Sequence, residues 1–185
     1  MKDAFLLLSN FIKKPKEVGA IAPSSKFLTK EIMNHINFKT SNNIVELGPG
    51  LGTFTKAILK KSSPETRLFC FEINDKFCDY LEKNIIDDRL IIINDGAEKI
   101  SKNIKKLKIK GVDYVISGLP FLNFSNLKKR EILQEIRNSL HYKGKFVLFQ
   151  YTNGLSNLLD SYFSKVDRIF VPLNMPPAFV YVCGK

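Results

Sequence analysis

Short apolar runs alternate with amphipathic stretches along most of this chain, and the alternation predicts a parallel sheet built from βαβ units. The runs predicted as strands are Asn43–Leu47, Arg67–Ile73, Leu90–Asn94, Asp113–Ser117, Lys145–Gln150, Val166–Val171 and Ala178–Cys183. The stretches predicted as helices are Thr53–Lys61, Lys76–Asn84, Ala97–Lys106, Ser125–Leu140 and Asn153–Ser164. Several strands are continuously apolar, which indicates that helices cover both faces of the sheet.

The last two predicted strands are separated only by Pro172–Pro177. A parallel connection needs roughly a dozen residues, so these two strands must be antiparallel neighbours. The sequence therefore predicts an α/β fold in which five parallel strands and a closing antiparallel pair form a seven-stranded, Rossmann-like sheet.

The first forty residues precede this sheet and are predicted to be helical. An amphipathic helix near the N-terminus carries its apolar side chains on one face and ends in a lysine cluster. The residues of this segment that we assign to membrane binding are Phe5, Leu8, Phe11, Lys13, Lys14 and Lys16. A second helix carries Leu28, Ile32 and Ile36, with Ser24 or Ser25 as its N-cap. We expect residues 1–40 to form a helical N-terminal lid and residues 41–185 the cofactor-binding domain of a single-domain protein.

Composition changes this picture in two ways. The three cysteines form no C-x-x-C pair, which argues against a disulfide framework and for buried thiols in a reducing cytosol. No apolar run is long enough for a transmembrane helix, and the N-terminal run lacks a signal-peptide cleavage site. The net charge of +11 favours a polyanionic partner, either nucleic acid or an anionic membrane surface. A generally lysine-rich composition would give the same charge, and that alternative remains open.

The strongest chemical signal is the strand–turn–helix segment Glu46-Leu47-Gly48-Pro49-Gly50-Leu51-Gly52. Alternating glycines let the backbone turn tightly and approach a nucleotide without interference from a Cβ atom. The acid before the turn would repel a phosphate but suits a cationic ligand that carries an amino group. S-adenosyl-L-methionine has a sulfonium and an ammonium group and no phosphate. The segment thus predicts a class I S-adenosylmethionine-dependent methyltransferase fold, with Glu46, Gly48, Gly50 and Gly52 at the cofactor.

Two further acids end the next two strands. Glu72 follows the second strand, about twenty residues beyond the glycines, where an acid binds ribose hydroxyls. Asp95 follows the third strand, where a carboxylate can accept a hydrogen bond from the adenine amino group. We assign these acids to the cofactor site together with their neighbours Ile73, Gly96 and Ala97.

The fourth strand ends in Ser117-Gly118-Leu119-Pro120, which we predict to hold the substrate, with Ser117 also near the cofactor. The loop resembles a variant of the N-[IL]-P-[YF] loop of amino-directed methyltransferases, with Ser117-Gly118 in place of the asparagine. Tyr151, after the fifth strand, is the candidate for holding an ammonium group through a cation–π contact or for relaying its proton. No spacing of His, Cys, Asp or Glu predicts a metal site.

Several segments of the sequence, taken together, resemble those of the bacterial phospholipid N-methyltransferases. The resemblance rests on Val18-Gly19-Ala20-Ile21-Ala22-Pro23-Ser24-Ser25, Glu46–Gly52, Ser117–Pro120, Phe149-Gln150-Tyr151 and Asn174-Met175-Pro176-Pro177-Ala178. It implies methylation of phosphatidylethanolamine by a cytoplasmic enzyme bound peripherally to the inner membrane face. The related ribosomal RNA adenine dimethyltransferases share the fold, so an rRNA (adenine-N6) methyltransferase is the alternative.

Two features bear on this choice. The amphipathic N-terminal helix with trailing lysines is typical of an interfacial membrane anchor. The rRNA enzymes carry a helical domain after the sheet, whereas this sequence stops at its last predicted strand. We therefore expect a phospholipid substrate and an anionic membrane surface as partners, with nucleic acid as the weaker candidate. A third hypothesis is a protein that binds the cofactor but has lost catalysis. The presence of Glu46, Glu72 and Asp95 argues against it. The oligomeric state is not predicted.

Overall fold

The computed structural model describes residues 25–185 as one α/β unit. Its strands are β1 (Asn43–Leu47), β2 (Arg67–Phe71), β3 (Leu90–Ile93), β4 (Val112–Ser117), β5 (Leu140–Gln150), β6 (Lys165–Val171) and β7 (Ala178–Gly184). Its α-helices are α1 (Lys26–Asn34), α2 (Thr53–Lys61), α3 (Asp75–Asn84), α4 (Ile100–Lys106), α5 (Asn126–Ser139) and α6 (Ser156–Asp160). The predicted amphipathic helix, with Phe5, Leu8, Phe11, Lys13, Lys14 and Lys16, lies outside the described residues.

All seven strands form one sheet in the order β3-β2-β1-β4-β5-β7-β6. Strands β1 to β5 are parallel, and β7 is antiparallel to both β5 and β6. The predicted seven-stranded sheet and its closing antiparallel pair are thus confirmed. The strand order reverses between β1 and β4, and an open parallel sheet binds ligands at the carboxyl ends of its strands at such a point. We call this side of the sheet the carboxyl edge.

An apolar cluster lies on each face of the sheet, because side chains alternate between the two faces along each strand. On one face, Val45 and Leu47 pack with residues of α4, α5 and β5. On the other face, Ile44 packs with residues of α1, α2 and β7. Helix α1 begins at the predicted N-cap, where the Ser25 hydroxyl accepts a hydrogen bond from the Leu28 N–H at 3.2 Å. All three cysteines are buried, as predicted.

Several element boundaries differ from the prediction. The helix predicted for Asn153–Ser164 is confined to Ser156–Asp160, because Ser161 and Ser164 donate their hydroxyls to backbone carbonyls where the helix would continue. Strand β5 begins at Leu140 rather than at Lys145. Its first residues pair with β4 across a register shift, which the polar stretch at this position conceals. The first turn of the helix predicted from Ala97 is a 3-10 turn that ends at Lys99.

Arg89, just before β3, fastens the end of α2 to the sheet. Its guanidinium donates to the carbonyls of Leu59, Ser62 and Ser63 at 2.9, 3.2 and 3.1 Å. It also pairs with the Asp87 carboxylate at 2.7 Å, and both side chains are partly buried. The last carbonyls of a helix have no partner within the helix, so this one side chain satisfies groups that would otherwise need water.

We predict that Arg89→Met lowers the free energy of unfolding by about 2 kcal/mol, because hydrogen bonds from a charged donor are lost at buried carbonyls. Urea denaturation measures the change. Arg168→Met is the control, because Arg168 pairs with Asp160 at the surface and should contribute roughly 0.5 kcal/mol or less. Equal losses in the two variants would contradict the assigned role of Arg89.

Candidate active site at the carboxyl edge

The glycine loop after β1 adopts a left-handed backbone at all three glycines. The φ angles are +68° at Gly48, +54° at Gly50 and +78° at Gly52, a region that side-chain-bearing residues rarely adopt. A Cβ atom at Gly48 would lie 2.8 Å from Leu119 Cδ2, and one at Gly52 would lie 2.6 Å from Ile85 Cδ1. At Gly50 such an atom would have no neighbour within 4 Å. The left-handed backbone therefore favours glycine at all three positions, and Gly50 faces open space that a ligand can fill.

Glu46 lies beneath this loop rather than on its surface. Its side chain is buried, and Oε2 accepts hydrogen bonds from the Thr55 hydroxyl at 2.7 Å and the Cys70 thiol at 3.4 Å. Oε1 is also buried and has no hydrogen-bond partner among residues 25–185. Burial raises the pKa of Glu46 to about 7, against the weaker opposing effect of the Thr55 hydrogen bond. A nearby positive charge would stabilise the ionised carboxylate.

Glu72, the residue after β2, contacts the glycine loop directly. Its Oε2 accepts a hydrogen bond from the Gly50 N–H at 3.3 Å, and its Oε1 accepts one from the Asn74 N–H at 3.0 Å. Burial raises the pKa of this carboxyl as well. The adjacent Ile73 is 74% exposed, so it offers an apolar surface beside the carboxylate. A carboxylate and an apolar side chain in this arrangement suit a nucleoside, with hydroxyls at the acid and the base at Ile73.

Asp95, the second residue after β3, already has partners within its own segment. Its carboxylate accepts hydrogen bonds from Lys99 Nζ at 2.6 Å, Asn103 Nδ2 at 3.1 Å and the Gly96 N–H at 2.9 Å. The Lys99 contact is the main reason that the pKa of Asp95 is lowered. Gly96 and Ala97 are buried at the start of the following turn. Asp95 therefore orders the start of α4, and its contact with a ligand stays a prediction.

The Ser117–Pro120 loop lies against the glycine loop. Ser117 is buried and its hydroxyl accepts a hydrogen bond from the Leu119 N–H at 3.1 Å, while the Gly118 N–H donates to the Leu47 carbonyl at 3.0 Å. A Cβ atom at Gly118 would lie 3.2 Å from the Gly48 carbonyl oxygen. The two loops are thus joined by main-chain contacts, and a side chain at position 118 would force them apart. Pro120 is exposed at the end of the loop.

Gln150 is a site residue that the sequence prediction missed. It is buried at the end of β5, and its Nε2 donates to the Leu119 carbonyl at 3.0 Å. The next residue, Tyr151, is 47% exposed, and its ring lies edge-on to Phe149 with the centroids 5.7 Å apart. Partial burial raises the pKa of its hydroxyl, which therefore stays protonated at neutral pH.

The structure thus places the predicted residues in three neighbouring groups along the carboxyl edge. Glu46, Glu72 and the three glycines form the centre. The group after β3 contains Asp95, Gly96 and Ala97, on one side of the centre. The group on the other side contains Ser117, Gly118, Leu119 and Pro120 after β4 and Tyr151 after β5.

The sequence model for ribosomal RNA adenine dimethylase matches residues 23–147 of this chain. The chain belongs to this family. It is also similar to the ornithine lipid N-methyltransferase of Singulisphaera acidiphila, with 28% identity over 185 residues that cover 99% of this chain and 96% of that protein. With the ribosomal RNA small subunit methyltransferase A of Wigglesworthia glossinidia brevipalpis it shares 33% identity, over 80% of this chain and 64% of that protein.

Solved structures agree on the fold. The 1,6-didemethyltoxoflavin-N1-methyltransferase of Burkholderia thailandensis, solved with S-adenosylhomocysteine, superposes with a TM-score of 0.69 over 100% of this chain and 89% of its own, at 14% identity. Human methyltransferase-like protein 13, also solved with S-adenosylhomocysteine, gives a TM-score of 0.66 over 84% and 81%, at 14% identity. The protein is therefore an enzyme, a methyltransferase with the class I fold, and its cofactor is S-adenosylmethionine.

The glycine loop fits this cofactor, because Gly50 leaves space at the turn and Glu46 Oε1 has no partner in the described part of the chain.

We predict that cofactor affinity rises with pH between 6 and 7.5. Glu46, with a pKa of about 7, is mostly protonated at pH 6. A cationic ligand binds the ionised form better, so affinity should increase about fivefold to tenfold while the cofactor's own ammonium stays protonated.

Calorimetry at several pH values measures this effect. In Glu46→Gln, which keeps an oxygen acceptor for Thr55 but cannot ionise, the affinity should be lower and should not change over this pH range. A parent protein with a flat pH profile would show that Glu46 does not respond to the cofactor's charge.

Proposed function

We propose that this enzyme transfers methyl groups to the primary amine of a membrane lipid, either phosphatidylethanolamine or an amino lipid of the ornithine type. The proposal includes peripheral binding to the inner face of the cytoplasmic membrane. The observation that carries it is the chemistry of the loops around the substrate half of the carboxyl edge. Residues 118–125, 151–155 and 172–177, which follow β4, β5 and β6, contain no charged side chain. The chain as a whole is 25% charged.

Uncharged loops around the substrate suit a lipid better than a nucleic acid. Proteins that bind RNA or DNA neutralise phosphates with lysine and arginine, which supply most of the sequence-independent affinity. A lipid substrate presents acyl chains and ester groups next to its amine, and these need no opposing charge. The match to a lipid N-methyltransferase along 96% of that protein supports the same assignment.

Methylation of adenine in ribosomal RNA is the second candidate, and the family match favours it. The Ser117–Pro120 loop argues against it. In the amino-directed enzymes whose loop this one resembles, an asparagine orients a planar amine, whereas Gly118 has no side chain and its Cβ position is already close to Gly48. A tetrahedral lipid amine needs no such planar alignment.

In the proposed reaction the cofactor supplies an electrophilic methyl group, and the protein chiefly positions the accepting nitrogen. Glu46, Glu72 and the glycine loop would hold the cofactor, with Ile73, Asp95, Gly96 and Ala97 around its adenine. Gln150 fixes the Leu119 carbonyl and thereby the loop that faces the substrate.

The substrate nitrogen must lose a proton to solvent water before it can attack, because a lipid primary amine is largely protonated at neutral pH, as lysine is. Apolar surroundings at this edge favour the neutral amine. The ring of Tyr151 would hold the protonated form of the substrate amine by a cation–π contact. The raised pKa of its hydroxyl favours this role over proton acceptance.

We predict methyl transfer to lipid when purified protein and labelled S-adenosylmethionine are mixed with vesicles that contain phosphatidylethanolamine or ornithine lipid. Vesicles made of phosphatidylcholine alone serve as the control, because the nitrogen of this lipid is already fully methylated. Label in adenine of ribosomal RNA, with none in either amino lipid, would overturn the proposal in favour of the second candidate.

The Gln150→Leu variant links the activity to this site. The substitution removes the amide that donates to the Leu119 carbonyl and puts an apolar side chain of similar size in its place. Methyl transfer should fall by about tenfold or more, since a misplaced reacting group is costly, and cofactor affinity should stay near that of the parent.

A further inference from the structure

The turn between β6 and β7 reverses the usual distribution of polar and apolar side chains. Asn174 is buried, and it holds the turn through a hydrogen bond from its N–H to the Val171 carbonyl at 3.3 Å and from its Nδ2 to the Pro176 carbonyl at 2.6 Å. Its neighbours Leu173 and Met175 are 66% and 87% exposed. The turn is thus built around an inward-facing amide and presents two apolar side chains outward.

This turn lies at the carboxyl edge, beside the proposed substrate loops. Strand β7 runs antiparallel to β5, so its first residues pair with the last residues of β5, as in the pair Phe179 and Gln150. Strand β6 ends opposite the start of β7, where Val171 pairs with Ala178. Leu173 and Met175 therefore project from the same edge as Tyr151.

Most of the exposed large apolar side chains among residues 25–185 lie at this edge. After or near the carboxyl ends of the strands are Ile73, Leu122, Leu127, Tyr151, Phe170, Leu173 and Met175, and Phe27 is exposed in the first turn of α1. At the opposite edge, before β3, after α4 and at the start of β5, are Ile86, Leu107 and Tyr142. Exposed apolar side chains that gather on one side of a domain mark a site of interaction.

Charge indicates what covers this surface. The turn and the two neighbouring loops contain no charged residue. Exposed basic side chains flank this uncharged part of the edge. Lys26 begins α1, which packs against β6 and β7, and Arg130 of α5 lines a cleft together with Gly154 and Leu155 of the loop after β5. An apolar centre with a basic border matches an anionic lipid bilayer, in which the centre enters the acyl region and the border meets headgroup phosphates.

We infer that the β6–β7 turn inserts Leu173 and Met175 into the lipid bilayer and so orients the carboxyl edge toward the membrane. The inference rests on the proposed lipid substrate, because it explains how a bilayer amine reaches a site at this edge. The turn is a docking element in this account, and neither side chain takes part in methyl transfer.

The test is the double variant Leu173→Ser/Met175→Ser, compared with Ile86→Ser/Tyr142→Ser, which removes two exposed apolar side chains from the opposite edge. Vesicles of phosphatidylethanolamine and phosphatidylglycerol are sedimented with each protein. The first variant should lose about tenfold or more in vesicle affinity, because the buried apolar area anchors the protein. The second variant should bind vesicles as the parent does, and both should keep the parent's affinity for S-adenosylmethionine.

Activity separates this inference from the proposed function. Methyl transfer to a short-chain phosphatidylethanolamine, dissolved below its critical micelle concentration, should be equal in the parent and in Leu173→Ser/Met175→Ser, while transfer to vesicles should fall in the variant. Loss of vesicle affinity without any methylation of lipid by the parent would support docking and overturn the proposed function.

Two results would overturn the inference itself. The first is unchanged vesicle affinity in Leu173→Ser/Met175→Ser, even if the parent methylates lipid. The second is a parent that sediments as a dimer in analytical ultracentrifugation and a variant that sediments as a monomer, since a second copy would then cover the turn.

Discussion

The left-handed turn after β1 is the constraint on which the site depends. Gly48, Gly50 and Gly52 all adopt positive φ angles, which residues with a side chain rarely do. Leu119 of the loop after β4 lies against Gly48, so the turn and that loop are packed together. Gly50, between the other two glycines, is the point where the backbone opens to a ligand. Glu72 contacts this turn through a hydrogen bond from the Gly50 N–H, and Gly118 and Leu119 of the loop after β4 lie against Gly48.

Two buried carboxyl groups beside the turn can supply negative charge, which the turn itself does not carry. Glu46 ties β1 to α2 and β2 through Thr55 and Cys70, and its second oxygen has no partner in residues 25–185. Glu72 ties β2 to Gly50. Ionised carboxylates are unfavourable in such surroundings unless a positive charge is nearby. A cofactor that carries a sulfonium and an ammonium group offsets this cost, which explains why acids rather than bases stand at this turn.

Much of this arrangement could be predicted from the sequence, because glycine spacing, apolar strands and a six-residue final turn are local features. Gln150 could not, since its partner Leu119 lies 31 residues away and only the parallel pairing of β4 and β5 brings them together. The hydrogen bonds that Asp95 accepts could not be predicted either, because they come from Lys99 and Asn103 in the following turn and helix. The short α6 depends on serine hydroxyls whose carbonyl partners include the end of β7.

The binding of S-adenosylmethionine to Gly50→Val, measured by calorimetry, tests the central claim most directly. The branched side chain would occupy the space that the bare turn leaves open, and the left-handed backbone would add strain of about 1–2 kcal/mol. Thermal unfolding establishes that the variant folds, and Gly184→Val, where a Cβ atom has ordinary contacts, serves as the control. The account predicts that folded Gly50→Val loses cofactor binding while Gly184→Val keeps it. Normal affinity in folded Gly50→Val would show that the cofactor binds elsewhere.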